Sequence, residues 1–202
     1  MTDSDILARA ADFIARGEVV AYPTETFYGL AADPRNARAI DRVFAAKGRR
    51  SEEPLPLIAA DIIQVERWFG ALSPIAATLA STFWPGPLTL VLPLPADHAW
   101  PANLTAGRDN IAVRVPAHLL ARTLAGEAGG MITSTSANPS GTPPATTADE
   151  VRRTLADRVA MVIDGGTTPG GAPSTIVDVI GVEPRLVRAG VIAWERVLSS
   201  LQ

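Results

Sequence analysis

The single lysine of this 202-residue chain, Lys47, sits in the run Lys47-Gly48-Arg49-Arg50, while the other seventeen basic residues are arginines. An ammonium is a compact point charge and a guanidinium a planar fork, so the two are not interchangeable where phosphate is handled. A lysine kept beside a glycine and two arginines suits the neutralisation of phosphate-like anions. The stretch Ser134-Thr135-Ser136-Ala137-Asn138 packs four hydroxyl or amide side chains into five residues. That is the composition of a polar ligand clamp, and equally of a turn whose Ser and Asn bond their own backbone. Arg114 falls among apolar neighbours, where an unpaired guanidinium is costly to bury. It needs either a solvated cleft or an internal salt bridge. Arg188, after Leu186-Val187, raises the same question. Together these residues describe a polar, cationic pocket built from strand ends.

Other chemistries find less support. Cysteine is absent, which removes disulfides, thiolate nucleophiles and zinc–thiolate sites. His98 and His118 lack metal-ligand spacing and read as surface or capping residues. No G-x-S-x-G elbow suggests a serine hydrolase. Gly165-Gly166-Thr167-Thr168-Pro169-Gly170-Gly171 could converge backbone N–H groups on a phosphate. It lacks the Gly-Lys-Ser/Thr end of a Walker loop, however, and reads better as a flexible turn. Glu52-Glu53 and Asp149-Glu150 read as solvated loop and helix-start charges. A net charge of −3 provides no global field for nucleic acid, so any RNA contact is expected to be local or transient. The N-terminus, with Asp3 and Asp5, lacks the basic region of a signal peptide. No apolar stretch approaches the roughly 20 residues that span a bilayer. A cytoplasmic protein without membrane contact is expected.

The elements that carry these residues follow from apolar spacing. Ile6, Leu7, Ala10, Phe13 and Ile14 recur at helical intervals before Gly17, which predicts a helix over about 4–16. Val19 to Tyr22 reads as a short buried strand ended by Pro23. Asn36 can cap a helix that buries Ala39, Ile40, Val43 and Phe44 and that Gly48 closes, so Lys47 falls in its last turn. Leu55 to Ala59 reads as a strand, with Pro56 marking an edge or a bulge. Further helices are expected over 61–69, from Ser73-Pro74 onward, over 117–127 and 147–157, and near the C-terminus around Trp194, Val197 and Leu198. Strands are expected over 88–92, 111–115, 131–133, 159–163, 174–179 and 185–188, with 93–110 an irregular connection. Segments 139–147 and 165–171 are lid candidates. No repeat or linker marks a second domain, so a single domain over 1–202 is expected. Irregular alternation with several strand-to-strand steps fits an α/β (α+β) fold, a mixed sheet flanked by helices.

Seven motifs carry a resemblance, in chain order: Tyr22-Pro23-Thr24-Glu25-Thr26-Phe27-Tyr28-Gly29-Leu30; Lys47-Gly48-Arg49 with Pro54-Leu55; Trp84-Pro85-Gly86-Pro87-Leu88-Thr89; Ala112-Val113-Arg114; Ser136-Ala137-Asn138; Asp164-Gly165-Gly166; and Pro173-Ser174-Thr175-Ile176. The chain resembles the YrdC-like family, the threonylcarbamoyl-AMP synthases, in its short form without an additional C-terminal domain. The resemblance implies a twisted open mixed sheet flanked by helices and curled around one deep cationic groove. It also implies a reaction. L-threonine and bicarbonate form a carbamate that attacks the α-phosphorus of ATP and expels pyrophosphate, with Mg²⁺ accompanying the ATP and no resident metal site. The product then passes to a tRNA-modifying threonylcarbamoyl transferase complex, with at most a weak tRNA contact of its own.

On that resemblance Lys47, Arg49, Ser136 and Asn138 surround the phosphates and the reacting carbamate. Thr26, Arg114 and Ser174 hold threonine, Arg114 at its carboxylate. Thr24, Ser134 and Arg188 join Lys47, Arg49, Ser136 and Asn138 along the nucleotide. Departures are Arg50 in place of proline, Glu53 in place of Asn or Lys, Ile58 where some members have histidine, and Pro56 in its strand. Two alternatives stand beside this reading: a non-catalytic double-stranded RNA or tRNA-binding module, and a carbamoyl-adenylate-forming module like that of hydrogenase-maturation proteins.

Overall fold

The computed structural model describes residues 2–48, 53–96, 98 and 100–202. Helix α1 (Asp3–Ala15) opens on a capping box, in which Thr2 Oγ1 accepts from Asp5 N at 3.2 Å and Asp5 accepts from Thr2 N at 2.8 Å. Strands β1 (Val20–Tyr22) and β2 (Gly29–Ala31) follow, then α2 (Ala37–Lys47). Asn36 caps α2 by accepting from Arg38 N and Ala39 N, and Gly48 ends it in the left-handed region at φ 61°. Next come β3 (Leu57–Ala59), α3 (Ile62–Phe69), α4 (Pro74–Phe83) and β4 (Leu88–Pro93). Helix α5 (Ala102–Thr105), β5 (Asn110–Arg114), α6 (Leu119–Glu127), β6 (Met131–Thr133) and β7 (Thr135–Ser136) form the middle of the chain. It closes with α7 (Ala148–Leu155), β8 (Met161–Val162), β9 (Thr175–Asp178), β10 (Arg185–Arg188) and α8 (Trp194–Ser199).

The mixed α/β architecture is built on two hydrogen-bonded sheets. One runs β7-β2-β1-β8 and the other β10-β9-β4-β5-β3-β6. In the larger sheet β4–β9 and β3–β5 pair parallel and the remaining neighbours antiparallel. Successive side chains of a strand face opposite sides. Leu88, Leu90 and Leu92 of β4, Ile111 and Val113 of β5, and Val177 of β9 therefore point into the main core with α2 and α4. Thr89, Val91, Ala112, Arg114 and Ile176 occupy the opposite face. A smaller cluster packs α1 and α6 against Val20, Tyr22, Ile58 and Ile132. No helix among the described residues is long and apolar enough to cross a membrane.

Three local expectations change. Strand β2 lies in what reads as loop, because Gly29-Leu30-Ala31 is too short to show a period and is held by pairing on both sides, to β1 and β7. The connection 93–110 contains the one-turn helix α5. Pro56 marks neither an edge nor a bulge: it precedes β3, which is interior, flanked by β5 and β6. The Pro56 carbonyl accepts from Ser134 N at 2.7 Å, so only the missing N–H is lost to pairing.

Candidate active-site groove

Both sheets contribute to one groove of about 960 Å³, whose wall includes Thr24, Thr26, Arg114, Ser134, Ser136, Ser174 and Arg188. Strand register does most of the placing on one side. Leu90↔Val113 and Thr89↔Ile176 bring β5, β4 and β9 side by side, so their outward residues form a continuous floor. Arg114 projects from the end of β5 and is only 6% exposed. Ser174, just before β9, exchanges a 2.8 Å hydrogen bond with Thr89 Oγ1 and accepts from Arg188 Nη2 at Oγ (3.1 Å) and at its carbonyl (2.8 Å). Burial, and next the positive charge of Arg114, push the Arg188 guanidinium below its ordinary value. Arg114 and Arg188 line the same groove with Arg108, and Glu53 and Asp178 are the carboxylates among its lining residues.

The other wall is made of loops. Thr24 forms a turn in which its Oγ1 accepts from Thr26 N and Phe27 N and donates to the Phe27 carbonyl at 2.7 Å. Thr26 Oγ1 lies 3.1 Å from Thr24 Oγ1, and the Thr26 carbonyl accepts from Gly170 N at 2.8 Å. Around it, Tyr28 N donates to the Ala145 carbonyl and Thr168 N to that of Thr146. Tyr28 Oη donates to the Gly166 carbonyl at 2.7 Å. The candidate lids 139–147 and 165–171 are therefore laced to each other and to the threonine-rich loop.

Lys47 and Asn138 stand behind this wall rather than on it. Lys47 is 4% exposed, and its Nζ donates to the carbonyls of Ser136 (2.6 Å) and Asn138 (2.9 Å), with Ser136 Oγ at 3.5 Å. Asn138 Nδ2 donates to the carbonyls of Pro139 (2.9 Å) and Thr142 (2.6 Å). Both alternatives for the 134–138 run therefore hold at once: Ser134 and Ser136 line the groove, and Asn138 bonds its own loop. Arg49 lies outside the described residues, as do Arg50 and Glu52. Glu53 and Ile58 line the groove.

Arg114 likewise satisfies both alternatives. It lines the groove, and its Nη1 donates to Glu25 Oε1 at 3.1 Å. Sequence reasoning passed over Glu25 and Thr89. A hydroxyl in the apolar run of β4 was the available signal for Thr89; for Glu25 there was only its place between two threonines. The described residues contain no group of three His, Cys, Asp or Glu able to nest a metal ion. A magnesium ion arriving on a triphosphate needs only one or two carboxylates, and Glu53 on the groove wall fits that lesser demand.

A family model described as telomere recombination, and named for Sua5, YciO and YrdC, matches residues 12–190. The threonylcarbamoyl-AMP synthase of Bacillus subtilis is 42% identical over 196 residues, 97% of this chain and 56% of that protein. That of Thiobacillus denitrificans is 44% identical over 166 residues, 82% of this chain and 87% of that protein. The solved structure of Pyrococcus abyssi Sua5 complexed with L-threonine is 38% identical with a TM-score of 0.92, over 100% of this chain and 58% of that one. The chain thus spans just over half the length of the Bacillus and Pyrococcus proteins. On the extent of these matches, the chain belongs to the Sua5–YciO–YrdC family.

Proposed function

We propose that this groove condenses L-threonine, bicarbonate and ATP into threonylcarbamoyl-AMP, releasing pyrophosphate and water, as an L-threonylcarbamoyladenylate synthase of the nucleotidyltransferase class. The observation that carries the reading is the meeting of Arg114, Thr26 and Ser174 in one cavity with Arg188. A buried guanidinium beside hydroxyls suits an amino-acid carboxylate and side-chain hydroxyl, and a second guanidinium suits a nucleotide phosphate. The Pyrococcus protein with this fold binds L-threonine, which supports the same occupant here.

The reaction brings two anions together. The threonine amine adds to bicarbonate with loss of water, and a carbamate oxygen attacks the α-phosphorus of ATP. The new P–O bond forms as the bond to pyrophosphate breaks, and pyrophosphate leaves with the electron pair. No covalent enzyme intermediate is needed, so the missing cysteine costs nothing. The protein supplies position and charge: reacting atoms must be held about 3–3.5 Å apart, and cations must meet charge as it develops. Arg114 takes the carboxylate, with Thr26 and Ser174 beside it. Ser134, Ser136, Arg188 and Thr24 form the nucleotide wall, Lys47 and Asn138 set the loop facing the phosphates, and Arg49, outside the described residues, is assigned to the phosphates by the family resemblance alone. Mg²⁺ arriving on the triphosphate would offset its charge, and Glu53 and Asp178 are the carboxylates on the groove wall that could reach it.

Pyrophosphate release is expected only when ATP, L-threonine and bicarbonate are present together. Release that continues without threonine rules the reading out, and release that instead depends on carbamoyl phosphate favours the carbamoyl-adenylate-forming module. The product would go to a threonylcarbamoyl transferase complex acting on tRNA in the cytoplasm. Direct tRNA binding is expected to be weak. Retention of RNA on filters at micromolar protein, lost at higher salt, favours the RNA-binding module instead.

A further inference from the structure

The sharing of one guanidinium between the groove and a carboxylate outside it is left unexplained by the reaction itself. Glu25 is not on the groove wall, although Thr24 and Thr26 on either side of it are. Its Oε1 accepts from Arg114 Nη1 at 3.1 Å and from Ala117 N at 3.2 Å, reaching across from the β1–β2 loop to the segment after β5. The pair is largely removed from water, with side-chain exposures of 7% for Arg114 and 19% for Glu25. Glu25 Oε2 is buried and has no hydrogen-bond partner among the described residues. An unpaired buried carboxylate oxygen is unfavourable for stability, yet the pairing of buried Arg114 is made through Oε1 alone, with the second oxygen of Glu25 left unsatisfied among the described residues.

We propose that Glu25 is a positioning residue: it grips Arg114 from behind and presents the remaining guanidinium N–H groups to the substrate carboxylate. The inference rests on the reading of the groove as a threonine site. Arg114 has five N–H donors in a fixed plane, and fixing one arm fixes the direction of the others. The same grip counters Arg188, whose charge repels Arg114 within the groove. Without Glu25, Arg114 shares the groove wall with Arg188 unbraced, and its flexible side chain is free to turn away. The anchor at Ala117 N adds a second constraint, because it fixes the carboxylate relative to the strand that carries Arg114.

The test compares L-threonine with L-threoninamide, which lacks the carboxylate, by calorimetric titration of the full chain, with ATP titrated in parallel. Wild type is expected to prefer threonine. Glu25→Ala is expected to weaken threonine binding roughly 10- to 100-fold, the range for losing a hydrogen bond to a charged group, while threoninamide and ATP change by no more than about twofold. Glu25→Gln keeps an acceptor of the same length and is expected to recover part of the preference. If Glu25→Ala weakens both ligands equally, Glu25 is merely structural and the proposal fails. It also fails if the variant keeps the wild-type preference. Should Glu25→Ala not fold, the threonine-to-threoninamide ratio of Glu25→Gln decides: a reduced ratio supports the proposal and an unchanged one overturns it. If wild type binds neither ligand, the functional reading itself falls and takes this inference with it.

Discussion

The two walls of the groove are built on different principles. On the sheet side, register does the positioning, and side chains such as Arg114, Ser174 and Ile176 are left to face the cavity. On the loop side no ladder fixes the backbone, so side chains are spent on holding it. Lys47 donates to two carbonyls, Asn138 to two more, and Thr24 closes its own turn. A polar residue on the groove face of a strand is thus a pointer to the site, whereas Thr133 and Thr175 on the buried faces, like polar residues in the loops, are spent on bonds to the backbone.

Removing Lys47 tests that distinction most severely. Lys47→Ala is expected to lower the melting temperature and, by releasing the loop it holds, to lower pyrophosphate release on the order of 10²-fold, as for misplacement of groups around the reacting atoms. Full activity with only reduced stability would make Lys47 a loop brace and sharpen the division between walls. On the strand side, Arg114→Ala is expected to raise the KM for threonine roughly 10- to 100-fold and to lower the melting temperature too, because Glu25 loses its cation. A large stability loss there, with unchanged KM, would break the comparison.

Backbone fit supplies a third test. A Cβ on Gly190 would meet the Pro173 carbonyl oxygen at 2.2 Å and the Ser174 carbon at 2.5 Å. Gly190→Ala is therefore expected to cost roughly 1–3 kcal/mol by overpacking and to weaken threonine binding through Ser174, read by denaturant unfolding and titration together. The smallest effect concerns pH. Burial holds His118 below its ordinary value of 6.5, outweighing the opposing charge of Glu25. The unfolded chain then binds more protons than the folded one as pH falls through that ordinary value, so stability decreases on acidification there. Thermal melts between neutral and mildly acidic pH should show a modest decline that His118→Asn removes. Asp5 and Glu150, held low by hydrogen bonds, act only in more acidic solution.

Much of this arrangement was legible beforehand where physics is local. Asn36 and Gly48 bound α2 and so fixed Lys47 in its final turn; Arg114 among apolar neighbours announced a cleft or an ion pair, and it has both. What escaped depends on distant partners. Strand β2 exists because β1 and β7 enclose it, and Pro56 is harmless because the strand starts one residue later. The Glu25–Arg114 pair joins positions 89 residues apart, a separation at which no periodicity speaks. Asn138 turned inward because its loop needed donors, which composition alone could not weigh against a ligand.

The lacing of Thr26 to Gly170, Thr168 to Thr146 and Tyr28 to Ala145 has a mechanical outcome. Three stretches far apart in the chain are stitched into one flap, so none can swing aside while the others stay. Any opening would have to break these bonds together, and the amides of Gly170, Thr168 and Tyr28 should then exchange with deuterium at a common rate.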